Sequence, residues 1–467
     1  MPENFIHKNF YLQSPLAEEL YHTYAKDLPL VDFHNHLNPE DLATNKKFAN
    51  LAEAWLIHDP YKHRAMRICG VPENEITGDA SDEQKFLKWA ETVSKTAGNP
   101  LFLWSALELK RIFGIDKILN KNNATQIWEQ CNIQLQQTGF GAADILKKFN
   151  AEILCTSDDL LDDLSVHQKA TADQQIKVYP SLRGDSAVNI EQPGFKNWLE
   201  KLEKITGQQI KTWDDFKSAI TQQLDKFYEA GCRLADHSLD GGFKFKKSTE
   251  ADASEIFKSF LSGNIPIEKE PTKYKNYMLH FLGTEYSRRG WTLQLHIGAQ
   301  RFTSSRLRKL AGPAGGYATV GSSCDIAGLC SFFDEMEKKD RLPKIILYTL
   351  NPSDNEAFAT LTGSFSEDGV PGKIQVGPGW WYNDQYEGIR QHLTTLSSYG
   401  LLSQFIGMTT DSRSVFSFSR HEYFRRILCN QLAEWVDRGK LPNDTDLLSN
   451  LIKDICYNNS KNRFKDI

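Results

Sequence analysis

At 467 residues, with 40% hydrophobic and 25% charged side chains, the chain has the composition of a folded globular protein and neither a disordered nor a fibrous one. Its formal charge of −5 excludes a global basic field for nucleic acid or anionic membrane, so an anionic ligand must meet a local group of arginines. The start, Met1-Pro2-Glu3-Asn4-Phe5-Ile6-His7, lacks a basic segment followed by an apolar one, and no apolar stretch nears the roughly 20 residues of a membrane span, so a cytoplasmic protein is expected. The scattered cysteines form no CxxC pair, which argues against a zinc knuckle or redox motif and for mostly buried thiols.

Along the chain, short apolar, β-branched runs ending in polar or glycine-rich residues recur as strands of a buried parallel sheet should. They predict eight strands, at 30–36, 152–156, 177–182, 232–237, 292–297, 344–350, 373–377 and 405–410. Amphipathic stretches such as 193–206 and 213–230 separate most of them. Strand and helix therefore alternate as in a barrel of parallel strands ringed by helices, with a doubly wound open sheet as the competing arrangement. Residues 37–150 interrupt this rhythm. Their apolar spacing predicts helices at 48–58, 81–96, 102–113 and 124–137, punctuated by Pro72, Gly78 and Gly98-Asn99-Pro100. An insertion after the first strand lies at the barrel face that carries active sites, so it is expected to cap the site. A helical tail, including 421–437, follows the eighth strand. The stretch Gly312-Pro313-Ala314-Gly315-Gly316 lacks the ending of a phosphate loop and is expected to be a mobile, ligand-covering loop.

The chemistry collects at the strand ends. His34 and His36 close the first apolar run. In an extended strand residues two apart share a face, so both imidazoles can converge on one ion, and neutral imidazole suits zinc, iron, nickel or copper. The fifth strand ends on His296 and the eighth on Asp411, with Arg413 two residues on, which predicts a mononuclear metal site with open positions. A buried carboxylate that touches a metal can also act as a base. Binuclear hydrolases on such a barrel use a lysine on strand four and a histidine on strand six. Here those strands end in Asp236-His237 and Thr349-Leu350, which argues for one metal. Asp236 is expected to reach the cavity and His237 to be structural. Arg183 and Arg301 join Arg413 as groups able to grip a carboxylate or phosphate, and exposed Trp380 and Trp381 would pack on the apolar face of a sugar.

Several stretches together are similar to one known family. Val31-Asp32-Phe33-His34-Asn35-His36-Leu37, Tyr61-Lys62-His63-Arg64-Ala65-Met66-Arg67, Gln294-Leu295-His296-Ile297-Gly298-Ala299, Trp380-Trp381-Tyr382-Asn383-Asp384 and Gly407-Met408-Thr409-Thr410-Asp411-Ser412-Arg413-Ser414 resemble uronate isomerase (glucuronate isomerase) of the amidohydrolase superfamily, as does Arg420-His421-Glu422-Tyr423-Phe424-Arg425-Arg426. The resemblance implies an α/β fold, a distorted TIM (β/α)8 barrel forming a single domain over 1–467, with the helical insertion at 37–150 and the helical C-terminal tail. It implies interconversion of D-glucuronate with D-fructuronate, and of D-galacturonate with D-tagaturonate, with one divalent metal ion expected to be zinc. The family's ligands fall on His34, His36 and Asp411, with His296 close to metal or substrate. Its catalytic tyrosine falls on Tyr61, its arginine after strand eight on Arg413, and its substrate contacts on Arg183, Asp236, Arg301, Trp380 and Trp381. The sequence departs from the family pattern at Pro60, His63 and Gly184.

Moving hydrogen from C2 to C1 of an open-chain sugar needs either a base working through an enediol or a hydride shift, and both need a polarised carbonyl. The resemblance favours the enediol, with Asp411 starting proton transfer and Tyr61 and Arg413 stabilising charge on the carbonyl oxygen. The competing readings are a mononuclear metal-dependent hydrolase or deaminase and a non-catalytic sugar-acid binding protein. The expected partner is a small hexuronate, with no nucleic acid and no membrane; a homo-oligomer is left open.

Overall fold

The computed structural model describes residues 4–240 and 244–464. In chain order its strands are β1 (Leu30–Asp32), β2 (Ala151–Cys155), β3 (Asp158–Asp159), β4 (Lys177–Tyr179), β5 (Leu182–Arg183), β6 (Leu234–Leu239), β7 (Thr292–Ile297), β8 (Ala299–Gln300), β9 (Thr319–Val320), β10 (Lys344–Thr349) and β11 (Ile374–Val376). They form a parallel sheet β1-β2-β4, a parallel sheet β11-β10-β7-β6-β5-β3, and an antiparallel pair β8-β9. The chain is thus a mixed α/β protein built on parallel sheets.

The two parallel sheets are joined by a shared kink. The predicted third strand, 177–182, breaks between β4 and β5 at Pro180, which has no N–H for a ladder. Across the break, Thr156 N–H donates to the Tyr179 carbonyl (3.1 Å), Ser181 N–H to that of Thr156 (3.1 Å) and Asp158 N–H to that of Ser181 (2.9 Å). Two further expectations are corrected. The first strand ends at Asp32, so His34 and His36 lie in the loop beyond it. Among the described residues, 405–410 join no strand ladder, so the ladder pairing stops at these two sheets. The cause lies at Gly407. Its φ is +88°, and an added Cβ would sit 2.1 Å from the Ile455 carbonyl oxygen, so the segment is laid against the C-terminal residues.

The connection between β1 and β2 is helical, as its apolar spacing predicts. It includes α1 (Leu51–Trp55), α2 (Pro60–Ile68), α3 (Asp82–Val93), α4 (Pro100–Phe113) and α5 (Ala124–Leu135). Ser81 and Gln84 form a capping box at the start of α3, Asn99 caps α4 ahead of Pro100, and Gly114 at φ +70° ends it. Trp55, Phe86 and Trp89 form its core, Trp55 meeting Trp89 edge-on at 6.4 Å, and each contributes on the order of 2–3 kcal/mol by burial. The helix α2 is absent from the prediction because its sequence is too polar to show an apolar face. Its only signal is Asp59-Pro60, a cap followed by a first-turn proline, and Asp59 accepts from the Tyr61 and Lys62 N–H groups. Buried Lys62 bonds Asp59, lies 4.0 Å from Glu108 and sits over the Trp55 ring at 5.0 Å, which fastens the start of α2 into this core.

Helices α6 (Phe195–Thr206), α7 (Trp213–Glu229) and α8 (Ser419–Asp437) form within two residues of their predicted bounds. The cysteines are all free thiols. No helix among the described residues is long and apolar enough to cross a membrane.

Burial gives the fold one clear pH dependence. His392, in the helix Tyr386–Tyr399, is held down to about 4 by burial, its bond with the backbone of Gly377 acting the other way. Between about pH 6.5 and 4 the unfolded chain takes up a proton that the folded one refuses, so stability is full above that window and lost as pH falls through it. His392→Gln should therefore lose about 2 kcal/mol less than the parent when denaturant unfolding at pH 7 is compared with pH 5. Equal losses in the two proteins would refute the assignment.

Candidate active site

Strand register assembles the floor of the site. Parallel pairing sets Arg183 beside Asp236, Ser238 beside His296, and His296 beside Tyr348. Alternation along β6 then puts Asp236 and Ser238 on one face and His237 on the other. A cavity of about 610 Å³ opens over this face. It is lined by His34, His36, Tyr61, Arg183, Asp236, His296, Arg301, Trp380, Trp381, Asp411 and Arg413, which brings together every site residue predicted from the sequence. His237 is turned away, its Nε2 3.1 Å from the Tyr286 hydroxyl and its Nδ1 3.5 Å from Asp185.

His34, His36 and Asp411 form one group able to hold a metal ion, their ligand atoms all within 4.8 Å of one another. Asp411 Oδ1 lies 3.0 Å from His36 Nε2 and 3.5 Å from His34 Nε2. These separations bracket the roughly 3.3 Å between ligands of a tetrahedral zinc ion with 2.0–2.1 Å bonds, so the donor set fits such an ion. Burial opposes charge on Asp411, but its bonds to the two histidines outweigh that and hold the carboxyl well below its usual range. The loop geometry comes from cross-chain bonds. His34 N–H donates to Thr409 Oγ1 (2.9 Å), Asp411 N–H to the His34 carbonyl (3.1 Å) and His36 N–H to the Ser412 carbonyl (2.8 Å). They hold Asp411 in left-handed backbone at φ +47°, a conformation costing about 1–2 kcal/mol that clusters at functional sites. His34, Asp236 and His296 form a second such group, sharing His34. His296 stacks on Tyr348 at 4.3 Å, and burial followed by the neighbouring His34 drives its pKa well below the ordinary value, so it is neutral.

Trp380 and Trp381 do more than the sequence suggests. Trp380 is buried, and both indole N–H groups donate to Asp411 Oδ2, at 2.9 and 3.1 Å. One oxygen of Asp411 thus faces the imidazoles while the other is held by the tryptophans. The Arg301 guanidinium stands over both rings, at 5.6 and 4.9 Å.

Tyr61 reaches the cavity from the first turn of α2. Burial and then the charge of Asp411 push its phenol well above its ordinary value, so it stays protonated. Pro60, one of the departures noted in the sequence, supplies the first helical position. The glycine-rich loop covers the same edge. It is bracketed by β8 and β9 and fastened to α2 rather than hanging free: Arg67 donates to the Gly315 carbonyl, and Arg64 Nη1 (3.0 Å) and the Tyr382 hydroxyl (2.6 Å) donate to that of Ala318. Gly316, at φ +77°, lies so close that a Cβ would meet the Pro60 carbonyl at 2.1 Å.

Several cavity residues escape the sequence reading. Asp185, Ser238 and Asp240 surround Arg183 and Arg301, and Asp384 bonds Arg420 at 3.0 Å behind Tyr61. Burial pushes Asp384 up to about 6 against the pull of Arg420. Two-residue spacing was the available signal for Ser238, which follows Asp236 at the interval that returns to the same strand face.

The geometry defines an α/β enzyme with a group able to hold a metal ion and several arginines in one cavity at the ends of its parallel strands. The sequence model described as glucuronate isomerase matches residues 2–464, and the chain belongs to that family. It is 46% identical to a uronate isomerase of Bacillus licheniformis over 462 residues, covering 99% of this chain and 98% of the relative. A uronate isomerase of Caldicellulosiruptor bescii is likewise 46% identical, over 99% of both chains. The crystal structure of uronate isomerase from Thermotoga maritima matches with a TM-score of 0.92 and 33% identity, over 99% of this chain and 100% of that one.

Asp32 links the two segments that carry His34, His36 and Asp411. It accepts from Asn35 Nδ2 (3.1 Å) and Thr410 N–H (2.9 Å), and lies 2.9 Å from His421 Nε2 and 3.0 Å from the Thr409 hydroxyl. Asp32→Asn places an amide donor among donors and should cost roughly 3 kcal/mol or more. Thermal melting reads this directly; a variant melting with the parent would refute the role.

Proposed function

We propose that the chain is an aldose–ketose isomerase that interconverts D-glucuronate with D-fructuronate and D-galacturonate with D-tagaturonate. The observation that carries this reading is one cavity holding the His34, His36 and Asp411 group together with the guanidinium groups of Arg183, Arg301 and Arg413. A polyhydroxylated acid uses both features. We also propose that the parallel strands and the 405–410 segment make a distorted (β/α)8 barrel in a single domain, capped by the 37–150 insertion, and that the protein works in the cytoplasm.

His34, His36 and Asp411 would hold one divalent ion, which we take as zinc; His34 is common to both ligand groups, which favours a single ion. When bound, the ion would supply a Lewis acid that polarises a substrate oxygen. The chain's own groups supply the rest. Asp411 takes the C2 proton of the open-chain aldehyde to give an enediol, exchanges it with solvent and delivers a proton to C1, while the proton of the C2 hydroxyl passes to the former carbonyl oxygen to leave the ketose. Trp380 and Trp381 hold the Asp411 carboxylate in place through Oδ2. Tyr61, kept protonated by burial, donates to the carbonyl oxygen, and the fixed charge of Arg413 stabilises the negative charge growing there. Asp236 and neutral His296 orient substrate hydroxyls, and Arg183 and Arg301 bind the carboxylate at the far end.

The test follows both uronates with the metal content measured on the same sample. The expected result is a ketose of unchanged mass, activity lost on chelation and restored by zinc, and solvent hydrogen at C1 when C2-deuterated glucuronate turns over. Asp411→Asn should lower kcat by at least about a hundredfold. Ammonia or a new acid as product would favour the hydrolase reading instead. Complete retention of deuterium at C1, unaffected by Asp411→Asn, would sink the proton-transfer route.

A further inference from the structure

Ser238 stands at the centre of the arginine cluster, and neither the metal-ligand group nor the proton transfer above uses it. Its Oγ accepts from Arg183 Nη2 at 3.2 Å and from Arg301 Nη2 at 3.1 Å. The other edges of the two guanidinium groups are taken by carboxylates. Asp185 Oδ2 lies 3.4 Å from Arg183 Nε, and Arg301 Nε donates to Asp240 Oδ1 at 2.8 Å. Asp185 Oδ1 also accepts the backbone N–H of Ser238 at 3.0 Å, so the hydroxyl and one of its arginines hang from a single carboxylate. Two cations from separate segments repel each other, and the two flanking carboxylates offset that repulsion at short range.

A hydroxyl offers two acceptor lone pairs and one proton. The arginines occupy both lone pairs of Ser238, which leaves the proton, on a partly buried side chain that lines the cavity. Two cationic donors on the oxygen polarise its O–H bond and strengthen it as a donor.

We propose that Ser238 reads the carboxylate of the substrate: its hydroxyl donates to one carboxylate oxygen and spaces Arg183 and Arg301 so that their charges meet the same group. The inference rests on the uronate reading above and deepens it, because it assigns the choice of an acid over the matching neutral aldose to a serine as well as to arginines. A site built to donate to an oxygen anion rejects a ligand that lacks it, since the donors are then left unmatched. The carboxylate lies at the far end of the sugar from C1 and C2, so its grip is equal in ground and transition states and should appear in KM rather than kcat.

The experiment compares the parent with Ser238→Ala, Ser238→Cys and Ser238→Thr, using steady-state kinetics on both uronates and calorimetric binding of D-glucuronate. Cysteine keeps the volume but is a poor acceptor and donor, and it serves if the alanine variant melts early. Alanine and cysteine should raise KM and the dissociation constant about tenfold or more, with kcat within about threefold, and threonine should restore both to within about threefold of the parent. Unchanged KM in the alanine and cysteine variants, a fall in kcat alone, or no rescue by threonine would overturn the proposal while leaving the uronate reading intact. Parent protein that binds D-glucuronate without turnover would sink the isomerase reading and leave Ser238 to be judged on the binding arm. Parent protein that neither binds nor converts a uronate would overturn both.

Discussion

A carboxylate with no water around it must be met by donors, and Asp32 is the one on which the site's geometry depends. It is fully buried, and groups from near and far in the chain converge on it: Asn35 beside it, Thr409 and Thr410 from the eighth predicted strand, and His421 from α8. An unpaired charge there would cost several kcal/mol, so the fold is stable only with these segments in place. The consequence is local and chemical. The segment before Asp411 joins no ladder, yet it is tied to the loop carrying His34 and His36 as firmly as a strand neighbour would be.

The cavity gathers guanidinium groups by pairing them with carboxylates. In a chain of net charge −5, Arg183, Arg301 and Arg420 are each held by an aspartate, namely Asp185, Asp240 and Asp384. Such pairing keeps guanidinium groups charged and oriented where solvent is scarce, which arginine tolerates better than lysine because it is weakly hydrated and always protonated. The insertion contributes position rather than charge. Lys62 and the aromatic core fix the start of α2, α2 carries Tyr61, and Arg64 and Arg67 fasten the glycine-rich loop along the same edge.

Much of this was legible in the sequence. The buried runs behind β2, β6, β7 and β10 were readable because a strand covered on both faces is continuously apolar, and α3 and α4 because caps and periodicity coincide there. Where the reading fell short, a non-local contact decided. The run at 405–410 has the composition of a strand, but Gly407 is drawn against Ile455, and hydrogen bonds to β1's loop replace a ladder. The polar helix α2 shows no apolar stripe because its buried members are Lys62, His63 and Met66, two of which are not apolar. Trp380 and Trp381 read as open stacking surface, whereas their N–H groups are committed to Asp411.

The sequence by itself determined the set of chemical groups and their attachment to strand ends: two imidazoles two residues apart, a carboxylate after the last apolar run, and arginines after the third and fifth. Those are properties of short stretches, set by side-chain chemistry and a two-residue period. Only the tertiary structure decided which oxygen of Asp411 faces the histidines, that one serine hydroxyl joins Arg183 to Arg301, and that Thr409 meets His34 across 375 positions of chain. The reason is physical. Each of these is a hydrogen bond between residues brought together by packing, and its direction depends on both partners at once rather than on either local sequence.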